Sequence, residues 1–148
     1  MLFLNKKAVT LVETLASIII ITFVFTSVLT IIVNVRKQTA AMNNRVIAVN
    51  VAKMIRDDII SSYQYSDINE LITDGDLIIT SDNCTDYDLT NLCDLFTYEV
   101  DGLNYSDNVT ITFLQATTES MSYGIIHYNI DVIYFDERNI VIEGLIYE

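Results

Sequence analysis

Proline and tryptophan are absent from this chain of 148 residues, histidine occurs once, cysteine twice and glycine four times. Without proline, nothing local forces a break in a helix. A single histidine, His127, leaves acid–base catalysis and histidine-ligated metal with little to work with, and it falls on the polar face of an expected strand, where a solvated surface group belongs. Four scattered glycines form neither a phosphate-cradling loop nor a Gly-x-Ser-x-Gly elbow, and no HExxH helix occurs. Two cysteines with no third Cys or His nearby support no structural zinc. The expectation is a protein that is not an enzyme and carries no cofactor and no metal.

Basic residues are also scarce: 8 against 20 acids, a net charge of −12, in a chain that is 51% hydrophobic with a mean hydropathy of +0.37. Evenly spread acid would pull the hydropathy down, so charge and apolarity must be segregated. Up to Arg56 the chain holds seven bases (Lys6, Lys7, Arg36, Lys37, Arg45, Lys53, Arg56) and one acid, Glu13, for a net +6. From Asp57 onward it holds one base, Arg138, and 19 acids, for a net −18. Such an acidic part repels phosphates, so direct nucleic-acid binding is disfavoured, and the basic helix is the one route left open to it.

Between Thr14 and Val35 there is no charged residue, and Ile18–Ile21, Phe23–Phe25 and Ile31–Val33 dominate. As a helix these 22 positions span roughly 33 Å, the thickness of a bilayer's hydrocarbon core. A removable secretory signal peptide has a shorter apolar run, of about 7–15 residues, closed by a small-x-small cut. Here Asn34, Arg36 and Lys37 follow instead, and a membrane-spanning helix is the expectation. Charge alone, two bases before the span and four after it, would place the C-terminal part in the cytoplasm.

Glu13 stands at the head of the apolar run, where an ionised carboxylate costs about 2.5–3.5 kcal/mol even on lenient insertion scales. Such a group lies in the headgroup zone or has a partner. Residues 6 to 15 read Lys-Lys-Ala-Val-Thr-Leu-Val-Glu-Thr-Leu. This segment resembles the cleavage signature of type IV prepilins and pseudopilins: a short basic leader, a small residue at the cut, then an apolar helix with Glu five residues in. The resemblance implies a cut after Ala8 by a prepilin peptidase, a new N-terminus at Val9, its N-methylation, and Glu13 as the fifth mature residue. It further implies that Glu13 compensates the Val9 amine of an adjacent subunit during filament assembly, and that the leader is cytoplasmic with the acidic domain outside. Ala8 replaces the family's usual Gly, Val9 its frequent Phe, and the apolar helix lacks the Pro of many major pilins, which predicts a straighter helix.

From Arg36 to Tyr63 no glycine interrupts the chain, and Ile47, Ala48, Val51, Ala52, Met54, Ile55, Ile59 and Tyr63 share one half of a helical wheel. The helix is therefore expected to leave the membrane with that face covered. Val46, Val49 and Ile60 lie off it, either as contacts to neighbouring subunits or as ordinary exposed aliphatics. Beyond Tyr63 the period changes to two: Val109, Ile111 and Phe113 alternate with threonines, and Ile126, Tyr128, Ile130, Val132 and Tyr134 alternate with polar residues. This pattern predicts antiparallel strands. Asp101-Gly102 predicts a hairpin between Phe96–Val100 and Leu103–Tyr105, and Asp136 to Asn139 a turn into a last strand, Ile140–Tyr147. Leu77–Thr80 is a further short strand candidate. The expected fold class is α+β, a long N-terminal helix, transmembrane then amphipathic, packed on a small antiparallel sheet. That is also the pilin-like architecture the resemblance implies. Its divisions are a leader over 1–8, a transmembrane and filament-core helix over 9–35, an amphipathic continuation over 36–63 and an acidic β domain over 64–148.

Cys84 and Cys93 flank an acidic loop and are either a disulfide, which a compartment outside the membrane permits, or two reduced buried thiols. Asp82, Asp86 and Asp88 carry the oxygen ligands calcium takes, but the spacing lacks the Gly and terminal Glu of an EF-hand loop, so a solvated acidic loop is expected. Three Asn-x-Ser/Thr triplets, beginning at Asn83, Asn104 and Asn108, carry little weight in an Asn-rich chain. Two functions stand side by side. One is a structural pilin or pseudopilin subunit, whose partners are other subunits, the prepilin peptidase, a membrane assembly platform and, before assembly, lipid. It would serve protein secretion or DNA uptake, and the short leader with its Ala cut is similar to competence pseudopilins. The other is a single-pass membrane-anchored binding domain that does not polymerise.

Overall fold

The computed structural model describes residues 11–72, 75–100, 102–135 and 137–148. Helix α1 runs without interruption over Leu11–Ser62, 52 residues, as the absence of proline and glycine allows. Two compact units divide at Ala40 and Ala41. In the first unit every described residue from Leu11 to Ala40 is exposed. The second, Ala41–Glu148, holds the core.

Within that second unit α2 (Tyr65–Asn69) follows, then β1 (Leu77–Ile79), β2 (Glu99–Val100), β3 (Leu103–Asn104), β4 (Val109–Phe113), α3 (Thr118–Tyr123), β5 (Ile125–Tyr134) and β6 (Arg138–Tyr147). β1, β4, β5 and β6 form one antiparallel sheet in that order, and β2 and β3 a separate two-stranded ribbon. The α+β class with a long N-terminal helix and a small antiparallel sheet is what the two periods in the sequence predict.

Alternation sorts the sheet's faces. Val109, Ile111, Phe113, Ile126, Tyr128, Ile130 and Val132 are all buried, and register sets Ile111 beside Ile130 and Phe113 beside Tyr128. The last two rings sit 5.6 Å apart and tilted by 45°, a favourable aromatic geometry. The same core contains Ala48, Val51, Ala52, Ile55 and Ile59 of α1, each fully buried. Their spacing of three and four residues makes one narrow stripe.

Several expectations are corrected. Met54 is 46% exposed; at about 100° per residue it lies beyond the stripe's edge, beside Ile47, which is itself only partly covered. α1 ends at Ser62, and Tyr63 packs after it. Phe96 is not in a strand but ends a 3-10 turn, Leu92–Phe96, with its ring buried, so the ribbon shrinks to Glu99–Val100 and Leu103–Asn104, and Tyr105 leaves it. β1 stops at Ile79, because Thr80 donates its amide to the Asn83 side chain at 2.7 Å instead of to a ladder. β6 starts at Arg138, paired with Tyr134, so only residues 135–137 connect β5 to β6, with Glu137 left-handed at φ 59°. A left-handed residue is what such a three-residue loop requires. Asp101 and Asp136 lie outside the described residues.

Candidate functional site

The first candidate is the apolar length of α1. Glu13 lies in its first turn and is exposed. Ala8 and Val9, the expected processing site, lie outside the described residues. Along this stretch the hydroxyls bond to their own helix: Ser17 to Glu13 O at 2.7 Å, Thr22 to Ile18 O at 2.8 Å, Ser27 to Phe23 O at 2.8 Å and Thr30 to Thr26 O at 2.9 Å. Such back-bonding satisfies donors that hydrocarbon cannot. With Ile18, Ile19, Ile20, Ile21 and Phe23 each more than 60% exposed, α1 is long and apolar enough to cross a membrane.

A second group of residues holds the acidic part onto the C-terminal end of α1. Three tyrosine hydroxyls do this, and the sequence reading had marked only Tyr63 as part of the helix face. Tyr63 donates to Thr90 O at 3.1 Å, Tyr98 donates to Asp58 Oδ2, and Tyr128 reaches Arg56 O at 3.5 Å. Burial, then the charges of Asp94 and Asp58, push the Tyr63 hydroxyl up to about 12. Burial likewise pushes Tyr128 up to about 12, against the lowering pull of the Arg56 charge. Tyr98 is raised by burial and by its bond to Asp58.

Cys84 and Cys93 are joined by a disulfide with Cα atoms 5.3 Å apart. Cys84 opens a 3-10 turn, Cys84–Asp86, and Cys93 lies in the turn Leu92–Phe96, so the bond clasps two turns whose apolar residues enter the core. Asp82, Asp86 and Asp88 are exposed around it. Among the described residues no three His, Cys, Asp or Glu side chains gather closely enough to hold a metal. His127 is exposed on the sheet's outer face, across from Leu145.

The structure also brings out surfaces that the sequence reading did not assemble. Arg45 and Lys53, topology signals in the sequence, stand beside Met42, Val46 and Val49 in one open patch on the surface of α1. The i, i+4, i+7 spacing of Met42, Val46 and Val49 was the available signal. A separate groove is lined by Tyr63, Asp67, Glu70, Leu71, Asp88 and Leu89. No protein-family model, no curated protein and no solved structure matches this chain.

Proposed function

We propose that this chain is a structural subunit of a type IV pilus-like filament, a pilin or pseudopilin, held in a membrane by the apolar length of α1 until it assembles. The observation that carries the reading is one continuous helix with Glu13 in its first turn, an exposed apolar surface as far as Val35 and core-forming positions from Ala48 to Ile59. The described chain does not cover that apolar surface, so the cover comes from outside. Lipid supplies it before assembly, and the helices of neighbouring subunits supply it afterwards.

In this reading a prepilin peptidase cuts between Ala8 and Val9, the Val9 amine is methylated, and Glu13 of one subunit compensates the Val9 amine of the next. A buried charge with a partner is tolerable where a lone one is not. The leader is cytoplasmic and the acidic domain lies outside, with which the Cys84–Cys93 bond is in keeping. The role is structural rather than catalytic, in a filament of the secretion or DNA-uptake kind, built on a membrane assembly platform.

The test is the intact mass and N-terminal sequence of the protein from membranes that contain its own prepilin peptidase. A chain beginning at Val9, one methyl heavier, is the expected result. A chain that keeps Lys6 and Lys7 overturns the reading in favour of a plain single-pass anchored binding domain, and returns the orientation to the charge count.

A further inference from the structure

α1 carries a second stripe within Ala41–Glu148. Met42, Val46, Val49 and Lys53 follow one another at steps of four and three residues, on the side of the helix away from Ala48, Val51, Ala52 and Ile55. Met42 is 67% and Val46 57% exposed, so this apolar ridge faces out. Arg45 and Lys53 flank it. Arg56 is engaged by Asp57 at 3.0 Å, but among the described residues Arg45 and Lys53 make no ion pair. These are two cations on an uncovered apolar ridge, in a unit that is otherwise overwhelmingly acidic.

The groove past the end of α1 has the opposite character. Its lining is largely polar, with the carboxylates of Asp67, Glu70 and Asp88, and Leu71 and Leu89 are its smaller apolar part. Asp67 accepts the Gln64 amide at 3.0 Å, closing the first turn of α2. Glu70 and Asp88 meet no cation among the described residues. Ridge and groove are therefore complementary in charge, cation to carboxylate, with Leu71 and Leu89 as the apolar part of the groove that can meet Met42 and Val46.

We propose that the Met42–Lys53 ridge of one copy seats in the Glu70–Asp88 groove of a second copy. Complementary potentials of this kind fix partner and register more than they add raw affinity. The two surfaces are different parts of the same chain, so the contact is heterologous; unless its rotation closes a ring, it propagates into an open helical array. The inference rests on the reading of the chain as a filament subunit and gives that filament a contact outside the membrane-spanning helix.

The test compares filaments sheared from cells that express the full chain as wild type, Arg45→Glu/Lys53→Glu, Glu70→Lys/Asp88→Lys, or all four substitutions together. Each charge-reversed pair is expected to lower filament yield by about tenfold or more, since like-charge juxtaposition opposes association strongly. The quadruple variant, whose ridge and groove are complementary again, is expected to recover. Chain abundance in the membrane and oxidation of Cys84–Cys93 report on folding in every variant. The milder Arg45→Gln/Lys53→Gln pair, which keeps long side chains, is expected to lose yield in the same direction and to a smaller degree. A wild type that forms no filament sinks the filament reading itself. A wild type that assembles beside equally competent charge-reversed chains overturns only the ridge-and-groove contact. So does loss in Arg45→Glu/Lys53→Glu with normal assembly of Glu70→Lys/Asp88→Lys, which would assign the ridge to anionic lipid.

Discussion

Tyr128 and Gly144 face each other across the β5–β6 ladder, and the tyrosine ring fills the space where any other residue at 144 would have its side chain. A β-carbon on Gly144 would overlap the ring carbons and the hydroxyl of Tyr128. From that seat the hydroxyl reaches Arg56 O on α1, so one glycine sets the height at which the helix rests on the sheet.

Gly144→Ala is accordingly expected to destabilise the acidic domain by about 1–3 kcal/mol, the usual cost of overpacking a filled core. Urea unfolding of the full chain in detergent, followed by tyrosine fluorescence, measures it. An unchanged midpoint would show that the ring does not lie where the structure places it.

Alkaline pH should loosen the same region. Tyr63 and Tyr128 are pushed up to about 12 in the folded chain from an ordinary value near 10. A folded pKa above the unfolded one gives stability that is fully present below about 10 and is lost as pH rises towards 12. The expected loss is on the order of 1 kcal/mol per tyrosine after allowance for solvent screening. Unfolding midpoints at stepped pH, read beside phenolate absorbance, check the sign, and stability flat from pH 10 upward contradicts the raised hydroxyls.

The strands show where sequence reasoning reached and where it stopped. β4 and β5 were legible because apolar residues alternate with polar ones over five or more positions, long enough for a period of two to stand out, and β6 followed from the turn signal before it. α2 and α3 have five and six residues, too few to display a helical period, and were missed. Phe96 read as strand because it is apolar and near a turn, although its burial comes from the 3-10 turn that the disulfide holds. Glu13 and the Ala8–Val9 junction were legible as a motif. The ridge was legible only in Val46 and Val49, which lie off the covered face of the wheel; Met42, Arg45 and Lys53 did not join them, because a stripe that no partner in the chain covers looks like ordinary surface.

The Cys84–Cys93 bond closes a loop of about ten residues, worth roughly 2–3 kcal/mol on a loop-entropy basis. Cys84→Ser/Cys93→Ser should lower the unfolding free energy by that amount. In the unmodified chain, alkylation should add mass only after reduction; uptake of label without reductant would remove the disulfide from the account.

If the chain is the filament subunit proposed above, Glu13→Ala should leave membrane insertion intact and cut filament yield by about tenfold or more, because the amine of the neighbouring subunit would be left uncompensated. Sheared-filament yield against membrane-fraction abundance separates the two. Full yield from this variant would sink the pairing.

The clasp between the two turns also decides how the domain fares against proteases. Thr85, Asp86, Asp88, Thr90 and Asn91 are exposed between the bonded cysteines, where a peptidase finds a ready substrate. A nick there leaves two polypeptides tied through sulfur, the first still anchored by the buried Ile79 and the second by Leu92 and Leu95. The damage stays silent until a reductant parts the halves.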